Sequence, residues 1–217
     1  KMKKLYYLMM VCILAVASCQ KPQYIEPTAD RQGITSLTAR FTSTSDKYEN
    51  AVLAKLTVED PDADMFVIPV PWFYPEESTD PTSIHMTRVR LEAELAPNCR
   101  IDPPVAMVDL TEENYYTFTN AQGESREIII TGKRTKSAKC NLMTFTLTKP
   151  YQIEGFIDED KKEVYLFTTD DLTGFSAEAT VCAHATILTD LSVKKNYNEE
   201  QEVTVMAQDE KTTCTYK

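Results

Sequence analysis

Arg88-Val89-Arg90-Leu91-Glu92-Ala93-Glu94-Leu95 alternates charged and apolar residues without a break. Residues two apart share a face of an extended strand, so Val89, Leu91, Ala93 and Leu95 meet a core while the charges meet water. The same period recurs upstream in Leu37, Ala39 and Phe41, and again in Val52, Ala54, Leu56 and Val58. Met65 to Val70 is a continuous apolar run, the pattern of a strand buried more deeply. Tyr116 and Phe118, then Glu127 to Thr131, form a hairpin around Gln122-Gly123. Short strands rich in Thr, Val, Ile, Tyr and Phe, few glycines and many prolines favour an all-β chain with little helix.

The second half echoes the first. Phe118-Thr119-Asn120-Ala121-Gln122-Gly123-Glu124 has a counterpart in Val205-Met206-Ala207-Gln208-Asp209-Glu210, and Arg90 to Leu95 in Ser176-Ala177-Glu178-Ala179-Thr180-Val181. Ile101 falls near Ile187 in the same comparison. Two units with one strand order suggest a tandem duplication. The first runs over 34–134 and the second over 138–217, with Gly132 to Ser137 read as a basic polar linker. The second unit's strands are expected at Leu142 to Leu147, Val164 to Phe167, Ala177 to Ile187 and Val203 to Met206, with a closing strand at the end. At 80 to 100 residues each, the units suit two tandem immunoglobulin-like β-sandwiches better than an up-and-down barrel.

Ahead of the strands, Lys1, Lys3 and Lys4 precede an apolar run from Leu5 to Val16, closed by Ala17-Ser18-Cys19. Basic, apolar and small residues in that order make 1–18 a lipoprotein signal peptide, with Cys19 the lipidated residue. The run is shorter than the roughly 20 apolar residues of a membrane span, so the membrane contact expected is the lipid itself. Residues 19–33, with Pro22 and Pro27, read as a tether. The location expected is the cell envelope, on either face of an outer membrane.

Loss of three lysines with the leader takes the net charge from −10 to −13. So acidic a chain argues against nucleic acid, whose binding depends on clustered Lys and Arg. Cys12 belongs to the leader and Cys19 to the lipid, which leaves Cys99, Cys140, Cys182 and Cys214. Four cysteines allow three pairings, and some can serve as small buried hydrophobes. If one bridge forms, Cys140 with Cys214 is favoured, because both belong to terminal strands of the second unit.

Asp64-Met65-Phe66-Val67-Ile68-Pro69-Val70-Pro71, Ile101-Asp102-Pro103-Pro104, Asp109-Leu110-Thr111 and Tyr116-Thr117-Phe118-Thr119 with Gly123 together resemble a repeat of Ig-like lipoprotein domains of gut Bacteroidota. The second unit is similar through Gly155-Phe156-Ile157-Asp158, Val164-Tyr165-Leu166 and Val203 to Asp209, but lacks the Val-Pro step and the hairpin glycine. The resemblance implies a fold and a location, in domains that accompany outer-membrane glycan uptake or serve as surface modules. It implies no activity.

Two stretches are candidate binding sites. Trp72, Phe73 and Tyr74, held between Pro71 and Pro75 and followed by Glu76 and Glu77, offer flat rings and carboxylates of the kind a sugar needs. Large aromatics more often pack than bind, so a core-capping Trp72 is the competing reading. Asp60, Asp62 and Asp64 invite calcium, although no glycine or distal Glu completes a calcium loop. His85 and His184 lack zinc-type spacing, and no nucleophile elbow or phosphate loop occurs. Glu92 and Glu94 share one solvated strand face. The expectation is therefore a non-enzymatic, cofactor-free module binding a glycan or an outer-membrane protein complex. The rival is a structural stalk or assembly subunit whose edge strands pair with another chain.

Overall fold

The computed structural model describes residues 33–42 and 47–217. The leader 1–18, Cys19 and nearly all of the tether lie outside the described residues. The described residues are all-β, with one helical turn among them, α1 (Ser83–Met86).

The first half builds two sheets. One has the order β2-β1-β4-β6, from β1 (Ile34–Arg40), β2 (Val52–Thr57), β4 (Val89–Leu95) and β6 (Met107–Val108). The other has the order β3-β8-β7-β5, from β3 (Met65–Pro71), β5 (Arg100–Asp102), β7 (Asn114–Thr119) and β8 (Ser125–Thr135). Leu37, Ala39, Val89 and Leu91 of the first meet Ile68, Val70, Phe118, Ile128 and Ile130 of the second in one apolar cluster. This is the sandwich that the alternation at 88–95 predicts.

The second half repeats the pairings around its own cluster, centred on Leu147, Phe175, Val205 and Tyr216. One sheet is β11-β10-β9-β12-β14, from β9 (Leu142–Lys149), β10 (Ile153–Asp158), β11 (Glu163–Leu166), β12 (Thr173–Val181) and β14 (Lys195–Asn196). The other is β13-β15-β16, from β13 (Thr186–Ile187), β15 (Val203–Met206) and β16 (Thr213–Tyr216). In each half the opening strand pairs with its hairpin partner and with a later strand, which pairs onward; the remaining strands follow in the same order. β3 runs parallel to β8. β11 correspondingly meets the end of β16, where Val164 N–H donates to Lys217 O at 2.8 Å and Lys217 N–H to Lys162 O at 3.1 Å. The hairpin glycine is replaced in kind: Glu210 takes the left-handed backbone (φ 59°) that Gly123 (φ 87°) takes in the first hairpin.

Four expectations need correction. Gly132 to Thr135 is not linker but the end of β8, and Gly132 is there because Leu110 crosses close by: a Cβ at 132 would sit 2.8 Å from Leu110 Cβ. The run Met65 to Val70 is buried on one face only, through Phe66, Ile68 and Val70. β3 is an edge strand with Met65 48% and Val67 39% exposed, and the edge tolerates Pro69, which has no N–H to donate. A register shift beside Arg40 turns Val52 outward opposite Arg40 and buries Leu53 instead. Ala177 to Ile187 is two strands, β12 and β13, separated by a turn in which Ala185 N–H bonds Cys182 O at 3.2 Å.

Cys140 and Cys214 form a disulfide spanning 74 residues, and Cys99 and Cys182 are free thiols.

Candidate functional site

Trp72, Phe73 and Tyr74 go to three different partners. The Arg134 guanidinium lies 3.8 Å from the Trp72 ring centre, and its Nη2 donates to the Trp72 carbonyl at 2.8 Å. Phe73 stacks on His184 of the second half with ring centres 4.4 Å apart. Tyr74 joins an aromatic cluster with Phe41 and Tyr48 at 4.7 and 5.1 Å. Trp72 and Phe73 also line a small cleft of about 170 Å³ with Glu76, Lys136, Ser137 and Gln208. The patch is thus largely occupied in packing: Trp72 and Tyr74 against the first half, and Phe73 across to the second.

That junction is polar as well as aromatic. His184 Nε2 lies 3.0 Å from Glu76 O and 2.9 Å from Ser78 O. The Glu76 carboxylate accepts from Ser137 Oγ at 2.7 Å and Lys139 Nζ at 2.5 Å. The hydrogen bond from Lys139 holds the Glu76 carboxyl below its ordinary range, and Glu76 in turn raises Lys139. A depressed carboxyl contributes stability above its unfolded pKa and loses it as pH falls through the folded value. Acidification below the ordinary carboxylate range is therefore expected to lower the melting temperature of the wild type more than that of Glu76→Gln. Parallel acid-side melting profiles for the two proteins would remove Glu76 from this role.

Asp60, Asp62 and Asp64 do not converge on a point. Asp60 Oδ1 accepts Asp62 N–H at 3.0 Å within its own turn. The side chains of Asp62 and Asp64 are 84% and 78% exposed, at 4.0 and 3.8 Å from Arg126. Arg126 also donates to the carbonyls of Pro61 and Asp62, so a guanidinium already occupies the oxygens a cation would seek. Among the described residues, no group of three metal-ligating side chains gathers.

Another exposed aromatic surface lies elsewhere among the described residues. On the β10–β11 hairpin Phe156 faces Tyr165 in register, and the Tyr165 and Phe167 rings stack with centres 6.3 Å apart and planes 24° from parallel. Phe156 is 61%, Tyr165 37% and Phe167 78% exposed. The face continues into the sheet. Glu154, two residues before Phe156, lies in register with Thr146 on β9, and Thr146 with Glu178 on β12, so all three point the same way. Beside them runs a groove of about 480 Å³ over Thr144, Thr146, Thr148, Gln152, Glu178 and Thr180, bordered by Ile187, Thr189 and Leu191.

The charges around the rings are held in place. Glu163 accepts from the Tyr165 hydroxyl, which raises the phenol above its ordinary value. Asp158 pairs with Lys161 at 3.0 Å and is lowered by that hydrogen bond, while Lys161 is raised. Lys161 sits 6.0 Å above the Tyr165 ring. Chemically, the surface combines flat apolar rings, hydroxyls that both donate and accept, one amide and several acceptor carboxylates. The signal was available in the chain: Phe156, Tyr165 and Phe167 occupy alternate positions among polar and apolar neighbours, but so does any half-buried strand. Only the register between β10 and β11 turns them outward together.

No curated protein matches this chain. One crystal structure, of a Bacteroides thetaiotaomicron protein provisionally named a glycoside hydrolase, is 17% identical at a TM-score of 0.34; the match covers 69% of this chain and 36% of that one. Another, of a Bacteroides fragilis protein provisionally named as secreted, is 14% identical at a TM-score of 0.31 over 51% of this chain and 100% of the other. This chain thus spans about a third of the length of the first, and neither likeness reaches the level of a shared fold. A family model for a second domain of unknown function, DUF8499, matches residues 142–217. A match over residues 14–132, more than half of the chain, makes this protein a member of the family of the domain of unknown function DUF5018.

Proposed function

We propose that the chain is a non-catalytic glycan-binding module of the cell envelope, built from two immunoglobulin-like units and tethered by lipid on Cys19. The observation that carries this reading is the outward row of Phe156, Tyr165 and Phe167, leading in register to a groove lined by hydroxyls and carboxylates. Sugars present apolar C–H faces to rings and hydroxyls to acceptors, and this surface supplies both. Exposed rings in such number are costly unless something covers them. Lipid anchoring would hold the module where glycans arrive and raise their local concentration. The order of basic, apolar and small residues up to Cys19 supports the location.

Affinity electrophoresis in gels containing soluble polysaccharides tests the reading. Wild type and Trp72→Ala are expected to be retarded, and Phe156→Ala to run freely. Equal retardation of Phe156→Ala and wild type would overturn it. The rival, an assembly subunit, draws on Met65, Ile129 and Tyr115, which lie in register across β3, β8 and β7 with Met65 and Tyr115 exposed. Co-purification of a partner lost in Met65→Lys, with no retardation by any polysaccharide, would favour it.

A further inference from the structure

Resting on the glycan reading above, we infer that this face takes an internal stretch of an uncharged linear glycan, laid across the strands from β11 to β12 and not gripped by an end. Three features support it.

The first is openness. Phe156 and Phe167 are 61% and 78% exposed, and the rings stand on or just after β10 and β11, the last two strands in the order of the sheet. A site that captures a chain end encloses it, and small-ligand sites bury most of their ligand's surface. Here the rings offer one flat side, which suits a sugar whose neighbours continue in both directions.

The second is charge. Glu154, Asp158, Glu163 and Glu178 share this face or border it, and Lys161 is the cation placed against its rings. Lys161 is already paired with Asp158, and Glu163 holds the Tyr165 hydroxyl. Glu154 and Glu178, both exposed, remain as acceptors for ligand hydroxyls. A uronate or sulfate would bring like charge to these carboxylates, and the ammonium over the rings, Lys161, is already paired with Asp158, which costs affinity. A neutral polyol meets only acceptors and hydroxyls.

The third is span. The rings stand on β11 and β10, Thr146 on β9, and Glu178 with Thr180 on β12. Three interstrand steps cover about 14 Å at the ordinary spacing, room for about three sugar rings in a row. The ends of that path differ: stacking at β11 and hydrogen bonding at β12. Short ligands therefore engage the rings alone, and longer ones gain Glu178 as well.

The test is calorimetric titration of the full chain with neutral β-1,4- and β-1,3-linked gluco-oligosaccharides and β-1,4-linked manno-oligosaccharides from disaccharide to hexasaccharide, and with oligogalacturonates of matching length. Affinity for one neutral series is expected to rise about tenfold or more, a difference of about 1.4 kcal/mol, between disaccharide and tetrasaccharide and then level off. Reduction of the sugar's terminal aldehyde should leave it unchanged. Glu178→Ala, an exposed position, is expected to remove most of the gain with length while leaving disaccharide binding intact; Phe156→Ala should weaken every length. Affinity that does not depend on length, or that is lost on end reduction, would overturn the internal-segment inference and leave the glycan reading standing. Tight binding of the oligogalacturonates would likewise overturn the charge argument alone. Absence of binding to every neutral and acidic series would sink the glycan reading itself.

Discussion

Replacing Cys140 and Cys214 together by alanine is expected to lower the stability of the second core by about 4 kcal/mol, the chain-entropy value for a crosslink closing a loop of this size. The bridge ties Cys140, two residues before β9, to Cys214 on β16 across a sequence separation of 74, with Cα atoms 5.7 Å apart. It therefore removes from the unfolded chain much of the freedom that folding would otherwise have to overcome. The second apolar cluster is the smaller of the two, centred on few large side chains, so it has less burial to offset such a loss. Urea denaturation followed by tyrosine fluorescence checks this. A fall in midpoint for the double variant, matched by wild type under reducing conditions, is expected; an unchanged midpoint would show that the crosslink contributes nothing.

Tyr216→Phe comes next, at about 2 kcal/mol, because it deletes one oxygen that serves both the buried Leu142 amide and the half-buried Glu159 carboxylate. Tyr216 is fully buried. Its hydroxyl accepts Leu142 N–H at 2.9 Å and lies 2.8 Å from both oxygens of the Glu159 carboxylate, to which it donates. Burial pushes the phenol above its ordinary value, so it stays protonated and keeps donating at neutral pH. Removing the hydroxyl strands the Leu142 amide where water cannot readily replace it. Tyr115→Phe is the matched control, since Tyr115 is 54% exposed and its hydroxyl meets Glu113 at the surface. That control should change stability by less than about 0.5 kcal/mol. Equal effects at the two positions would remove the buried-hydroxyl argument.

The two cases also mark what could be read from residue order. That Cys140 and Cys214 would face each other, if any pair did, follows from their places on terminal strands. That the Tyr216 hydroxyl reaches Glu159 across 57 residues follows only from how β16 packs beneath the turn after β10. The hairpin around Gly123 was legible because a positive φ demands a residue that adopts it readily. Its counterpart at Glu210 was not, because glutamate carries no such mark. Gly132 misled in the other direction: a glycine among Lys, Arg, Thr and Ser reads as linker, yet it marks the close crossing of Leu110 over β8.

The candidate site divides in the same way. Trp72, Phe73 and Tyr74 drew attention because proline flanks them and tryptophan occurs once, and local composition is blind to Arg134 and His184, which cover two of these rings from distant positions. Phe156, Tyr165 and Phe167 drew none, since each looks like any strand residue taken alone.

Residue order by itself determined the all-β class and the face that β1 and β4 turn to the core, and it carried the expectations of a lipid-bearing start and two units with one strand order. Period and composition act over a few neighbours, and that range suffices for such features. Tertiary structure alone decided which of two aromatic groups is consumed in packing and which stays exposed. Exposure depends on the register between strands and on partners about 60 to more than 100 positions away, and no local pattern encodes those distances.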